Sequence, residues 1–256
     1  MGVNIWCIHL ARSEISTELP PIKILFQSKG LIVLDKPAGL PVHAGPRGGL
    51  SVEDWFPLLS RRKDGPWLAH RLDADTSGCL VIALRRAALL EAQAAFAGGR
   101  AEKVYWAVVR GGPVDAAGVV DLPLLKQSTP AGWRMVTGAL GQTARTAWRV
   151  RGRAEGLAWL ELRPLTGRTH QVRVHCAALG CPVLGDSVYG GGAGPLQLLA
   201  HSIWLPLTPS VMALAPPPCH MLPDLTACGW AGEPAAPEAG EVRPEQAQKL
   251  RAPFSY

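Results

Sequence analysis

No apolar run in the sequence approaches the roughly 20 residues that a membrane-spanning helix requires, so a soluble chain with no membrane partner is expected. The opening stretch MGVNIWCIHLARSEIS has no cationic start, no sustained apolar core and no small-residue cleavage site. A secretory leader is therefore not expected, and the cytoplasm is the predicted compartment. A disulfide framework is missing as well. Six cysteines (Cys7, Cys79, Cys176, Cys181, Cys219 and Cys228) follow no scaffold spacing, and a chain of this size buries enough apolar surface to fold without staples. Reduced thiols are expected. There is no internal repeat, so a stacked-repeat architecture is not expected. Acidic residues are in mild deficit: 26 Lys and Arg stand against 20 Asp and Glu, a formal charge of +6. That balance suits an anionic partner but identifies none.

What is present reads as one domain with tails. IKILFQSKGLIVLDKPAGLPVHAG predicts two short strands joined by a Lys-Gly turn, then a Pro- and Gly-punctuated loop from Pro37 to Gly49. A helix is expected from Ser51, a strand over 79–84, and an Ala/Leu-rich helix that Gly98 and Gly99 stop. Strand signals then dominate in KVYWAVV, TARTAWRVRG and GLAWLELRPL, THQVRVHCAALG reads as a helix ending at Gly180, and LQLLAHSIWL as a last strand. Many consecutive strands with few helices predict an α+β fold on a largely antiparallel sheet. From about Ala231 the chain is rich in Pro, Ala and Glu, and a disordered tail is expected over 231–256. Residues 1–21 are read as an N-terminal extension and 22–230 as the folded domain.

The stretch AHRLDADTSGCLVIAL (69–84) sets Asp73 and Asp75 two apart. In an extended chain both would face the same side. Such a pair could hold Mg²⁺ beside a phosphate, although no third acid is near. DTSG superficially resembles the Asp-Thr-Gly loop of aspartic proteases, but Ser77 breaks the pattern and no second copy follows. The remaining reading makes Asp75, Thr76 and Ser77 turn residues ahead of a strand, and for Asp75 it is preferred. No metal site is expected.

A second stretch, LRPLTGRTHQVRVHCAALGCPVLGDSVYG (162–190), gathers Arg163, Arg168, His170, Arg173 and His175. Such a group on and before a helix could anchor phosphates and a carboxylate, or could simply be a solvated basic face. His170, His175, Cys176 and Cys181 do not have usual zinc spacing.

Taken in order, VLDKPAGLPVHAG (33–45), HRLDADTSG (70–78), EKVYWAVV (102–109) and TGRTHQVRVHCAALGCPVLGDSVYG (166–190) resemble the RluA family of RNA pseudouridine synthases. The resemblance covers about residues 22–207. It implies the family's catalytic fold, a mixed, largely antiparallel sheet flanked by helices with an active-site cleft. It implies an isomerase that converts uridines of structured rRNA or tRNA stem-loops to pseudouridine, acting as a monomer without a cofactor. Asp73 would be the nucleophile, Arg173 or its competitor Arg168 the guanidinium paired with it, and Tyr105 the ring that stacks on the target base. Arg71 would fill the space left by the flipped nucleotide. His70, Thr76, Lys103, Arg168 and His170, in or beside the same motifs, are assigned to substrate binding.

The chemistry suits these residue types. Moving ribose from N1 to C5 of uracil changes no oxidation state and loses no group. It needs a carboxylate beside the anomeric carbon, whether to bond to it or to assist proton loss to a glycal. An opposite charge within about 4–6 Å favours the ionised form of a shielded carboxylate, the part given to Arg173 or Arg168. The alternative is a non-enzymatic RNA-binding protein or RNA chaperone on the same fold. Two departures from the family stand out. No small basic RNA-binding module is expected ahead of VLDKP, and Ala200 stands where Leu is common.

Overall fold

The computed structural model describes residues 19, 21–45, 48–129 and 132–232. The expected N-terminal extension and C-terminal tail lie outside the described residues except at their inner ends. In chain order the elements are β1 (Lys23–Gln27), β2 (Leu31–Lys36), a 3-10 turn (Val52–Trp55) running into the short helix α1 (Phe56–Leu59), β3 (Trp67–Leu68), β4 (Ser77–Ala83), α2 (Arg86–Ala97), β5 (Glu102–Arg110), β6 (Ala117–Asp121), β7 (Leu124–Thr129), β8 (Gly132–Thr137), β9 (Arg145–Ala154), β10 (Leu157–Pro164), α3 (Gln171–Ala178), β11 (Leu198–Leu205), β12 (Val211–Leu214) and α4 (Leu222–Ala227). Among the described residues, no helix is long and apolar enough to cross a membrane.

The hairpin β1–β2 is closed by Ser28, whose hydroxyl accepts the Leu31 N–H at 3.0 Å. β2 up to Leu34 and β4 from Cys79 are apolar runs, and both strands are buried almost end to end, as strands covered on both faces must be. Alternation divides them between two cores. Leu31, Val33, Cys79, Val81 and Ala83 join Trp106, Trp159, Ile203 and Leu225 on one side. Ile32, Leu34, Leu80 and Ile82 meet Trp55, Leu72 and Ala200 on the other. α2 lies on the first core through Leu89 and Ala92 and ends as expected at Gly98 and Gly99.

One ten-stranded sheet has the order β1-β2-β4-β11-β5-β10-β9-β6, with β12 added on β11 and β3 on β4. Only β4 and β11 pair in parallel among these strands. The α+β fold and largely antiparallel sheet are therefore as expected. Gly78, at φ +107, sits where β4 pairs with β11, and a Cβ there would collide with the Ala200 carbonyl oxygen. A separate hairpin, β7–β8, stands off the sheet. Its shortness and polar content kept it, like β3, β6, β12 and α4, out of the sequence reading.

The extended geometry considered for Asp73 and Asp75 is overturned. The chain turns at 74–75, closed by the Thr76 N–H donating to the Asp73 carbonyl at 3.1 Å. Asp75 is consequently exposed while Asp73 faces inward, half-buried. The two acids do not share a face.

Candidate active site

Three segments converge on one cavity of about 480 Å³: the loop between β3 and β4, the strand β5, and the loop from β10 into α3. It is lined by Asp73, Arg173, Tyr105, His70, Arg71, Thr76, Lys103, Arg168 and His170, so every residue given a catalytic or substrate-binding role in the sequence is brought to one place.

The loop bearing Asp73 is held from beneath by Lys36. This lysine is fully buried, and its ammonium donates to the carbonyls of Pro37, Leu40 and Ala74 at 2.9, 2.8 and 2.8 Å. Three donors thus meet three acceptors. Burial pulls its pKa down to about 7, against the nearby Asp75 and Asp73 charges, which favour the ammonium. Gly39 N–H donates to the same Ala74 carbonyl at 2.9 Å. Lys36 went unassigned in the sequence although it lies within the VLDKP block.

Two arginines competed for Asp73, and the geometry separates them. Arg173 on α3 places Nη1 3.4 Å from Asp73 Oδ2. Arg168 instead donates through Nε to the Thr143 carbonyl at 3.0 Å. Arg173 is pinned by a further carboxylate that the sequence reading did not single out: Asp186 takes its Nε and Nη2 at 2.8 and 2.9 Å. This bidentate pair is the tightest contact of the guanidinium, and Asp73 receives the remaining arm. Burial opposes the Arg173 charge, but the bonds to Asp186 and the two carboxylate charges hold its pKa above the ordinary value. Burial likewise raises the Asp186 carboxyl, yet Arg173 and the N–H groups of Tyr189 and Val188 bring it below the usual range. Asp186 falls in the LGDSVYG end of the quoted block, the one signal that could have found it.

His170 enters α3 in the left-handed region at φ 53, an uncommon conformation for a residue with a side chain. Its Nδ1 lies 2.7 Å from the Tyr189 hydroxyl. That hydroxyl also accepts the Met135 N–H at 3.1 Å. On the other side of the ring, Nε2 lies 3.8 Å from Asp73 Oδ2. Burial lowers the His170 pKa, with the Asp73 charge acting against it. Trp133 of β8 stacks on the imidazole, centroids 5.3 Å apart.

Tyr105 projects from β5 into the cavity, and burial together with the Asp73 charge raises its pKa, so it is a neutral phenol. Lys103, two residues along the same strand, donates to the Thr166 carbonyl at 3.4 Å, and burial brings its pKa down to about 8. His70 accepts the Val81 N–H at Nε2 and packs on Phe96; burial lowers its pKa to about 3. Thr76 is buried and Arg71 exposed at the rim. Two members of the basic group look elsewhere. Arg163 pairs with Glu161 at 3.0 Å, and His175 lies between Thr146 and the Leu122 carbonyl. The zinc set weighed from His170, His175 and the cysteines therefore does not converge.

A family model described as RNA pseudouridylate synthase matches residues 30–178, more than half of the chain. The chain belongs to the RNA pseudouridylate synthase family. An uncharacterized RNA pseudouridine synthase of Zymomonas mobilis is 42% identical over 188 residues, spanning 71% of this chain and 86% of that one. The mitochondrial pseudouridylate synthase RPUSD4 of Bos taurus is 37% identical over 65% of this chain. Ribosomal large subunit pseudouridine synthase C of Pasteurella multocida is 38% identical over 70% of it. The matched regions make up 51% and 56% of those two relatives. Two solved human structures share the fold. RNA pseudouridylate synthase domain containing 4 gives a TM-score of 0.68 at 30% identity, covering 80% of this chain and 92% of that one. Domain containing 1 gives 0.69 at 28%, covering 94% and 98%. The chain is thus an RNA pseudouridine synthase, an isomerase that acts on uridine in RNA.

Proposed function

We propose that this synthase works through Asp73 on an unpaired uridine of a folded rRNA or tRNA stem-loop. The observation that carries the reading is the position of the Asp73 carboxylate: inside the cavity, 3.4 Å from a guanidinium that Asp186 holds rigid. In the reaction the bond from ribose C1′ to uracil N1 breaks, the base turns, C5 bonds to C1′, and the C5 proton leaves while N1 regains one. No electron is gained or lost. Positive charge develops on the ribose, and a carboxylate beside C1′ opposes it. Addition to C1′ and assisted proton loss to a glycal both use that oxygen. Tyr105 offers a ring face to hold the detached base, and the half-buried pocket limits water, which would otherwise trap an abasic product. A loop uridine fits because extrusion costs least where stacking and pairing are already weak.

The test is Asp73→Asn against [5-³H]uridine-labelled hairpin RNA. Tritium release should fall below detection while gel-shift affinity survives, since phosphate contacts elsewhere dominate binding. Asp75→Asn, exposed and turned away, should remain close to wild type. Undiminished release by Asp73→Asn would remove Asp73 from the chemistry, whereas binding without release by the wild type would fit a protein that only binds RNA.

A further inference from the structure

We infer that Trp133 and Lys126, on the β7–β8 hairpin, form a second nucleotide site beside the catalytic cavity, on which an unpaired base next to the target uridine stacks. The proposal rests on the reading of RNA as substrate. The hairpin stands outside the main sheet and pairs Ser128 with Trp133 and Lys126 with Met135. With side chains alternating along each strand, these four share one face. At one end of that face Met135 packs with Leu124, Val174 and Tyr189, and its N–H is bonded to the Tyr189 hydroxyl. This end suffices to moor the hairpin.

Trp133, at the other end, is not needed for that mooring. It keeps 47% of its surface exposed, an unusual state for an indole with a core available. It is nonetheless ordered, stacked at 27° on His170, whose Nε2 faces Asp73 and whose ring lines the cavity. The Lys126 ammonium lies 4.6 Å from the indole centroid. An exposed aromatic ring beside a mobile cation is the combination that holds single-stranded nucleic acid: the π-face takes a base of any identity and the cation takes its phosphate. An exposed cation-π contact is weak, so Lys126 can leave the ring for a phosphate when RNA arrives. An extruded uridine in the cavity leaves its neighbour without a stacking partner, and Trp133 supplies one a single imidazole away. Charge selects RNA over an apolar peptide as the occupant, since Lys126 and Arg134 both stand on this hairpin and no acid does within residues 124–129 and 132–137.

The experiment uses the full chain and a set of hairpin RNAs in which each loop nucleotide in turn is replaced by 2-aminopurine or by an abasic residue. In the wild type, 2-aminopurine at one position flanking the target should lose fluorescence on binding, and the same position should be bright with Trp133→Ala. Trp133→Ala should raise KM about tenfold, in keeping with one lost base stack, with kcat changed far less, and Trp133→Phe should restore most of the affinity. Lys126→Met should weaken binding and flatten its salt dependence. An abasic residue at the quenched position should cost the wild type as much as Trp133→Ala does and cost that variant nothing further. Absence of quenching at every position on RNA bound by the wild type overturns the site, whether or not that RNA is turned over. So does a Trp133→Ala variant whose loss lies wholly in kcat, which would make Trp133 a support for His170. Tritium release by the wild type reports separately on the hairpin substrate.

Discussion

Arg173 serves two carboxylates, and its assignment to Asp73 is only half of its environment. Its side chain is 5% exposed and that of Asp186 is 0% exposed, so each needs the other to stay charged in the interior. Removing one member of such a pair strands its partner at a cost of about 3–5 kcal/mol. Arg173→Met should therefore lower the melting temperature and abolish most tritium release, whereas Arg168→Met, which gives up a bond to an exposed carbonyl, should be mild in both. The reverse order would reassign the guanidinium partner of Asp73. Asp186→Asn is the sharper test of positioning. It keeps the shape but removes the charge that orients Arg173, so kcat should fall with RNA affinity nearly unchanged, and thermal stability should drop by an amount comparable to Arg173→Met. An Asp186→Asn protein of wild-type kcat would reduce Asp186 to a local cap for Val188 and Tyr189.

At the scale of elements, the site depends on two strands pairing closely. β4 follows the Asp73 loop directly, and its parallel contact with β11 begins at Ser77 and Gly78. Gly78→Ala would impose a side chain on a left-handed backbone, at about 1–2 kcal/mol, and drive a methyl group into the Ala200 carbonyl. The prediction is a loss of at least about 2 kcal/mol in chemical denaturation, with the surviving folded fraction impaired in catalysis because the Asp73 loop shifts with the strand. Elements of this kind were legible in advance where the pattern was strong. The wholly apolar CLVIAL and the Gly-terminated helix after it are examples. The β7–β8 hairpin was not, because LLKQST and GWRMVT have neither a long apolar run nor a tight-turn signature, and the side chains that pack on it, Tyr189 and His170, come from distant sequence.

For the whole molecule, the mild excess of +6 acts through where the cations stand. Lys103 in the cavity has a pKa brought down to about 8; it is a cation below that value and neutral above it. RNA affinity should accordingly fall as pH rises through about 8, and this step should vanish in Lys103→Met, with fluorescence anisotropy as the measure. Affinity should also fall steeply with salt, because bound cations release counterions from phosphate. The sequence by itself determined the chemistry available: ordered motifs carrying Asp73, Tyr105 and Arg173, and the α+β class that the strand-rich order implies. Those are properties of residue type and local spacing. Which arginine meets Asp73 was decided only by tertiary structure, since the two residues are 100 positions apart and Arg168 and Arg173 are equivalent as charges. The same holds for Asp186, for the Lys36 ammonium under the loop, and for the His170 ring between Tyr189 and Asp73, each set by partners that the fold brings across the chain. Charge type is written along a sequence, but the direction a charge faces is set by the packing around it.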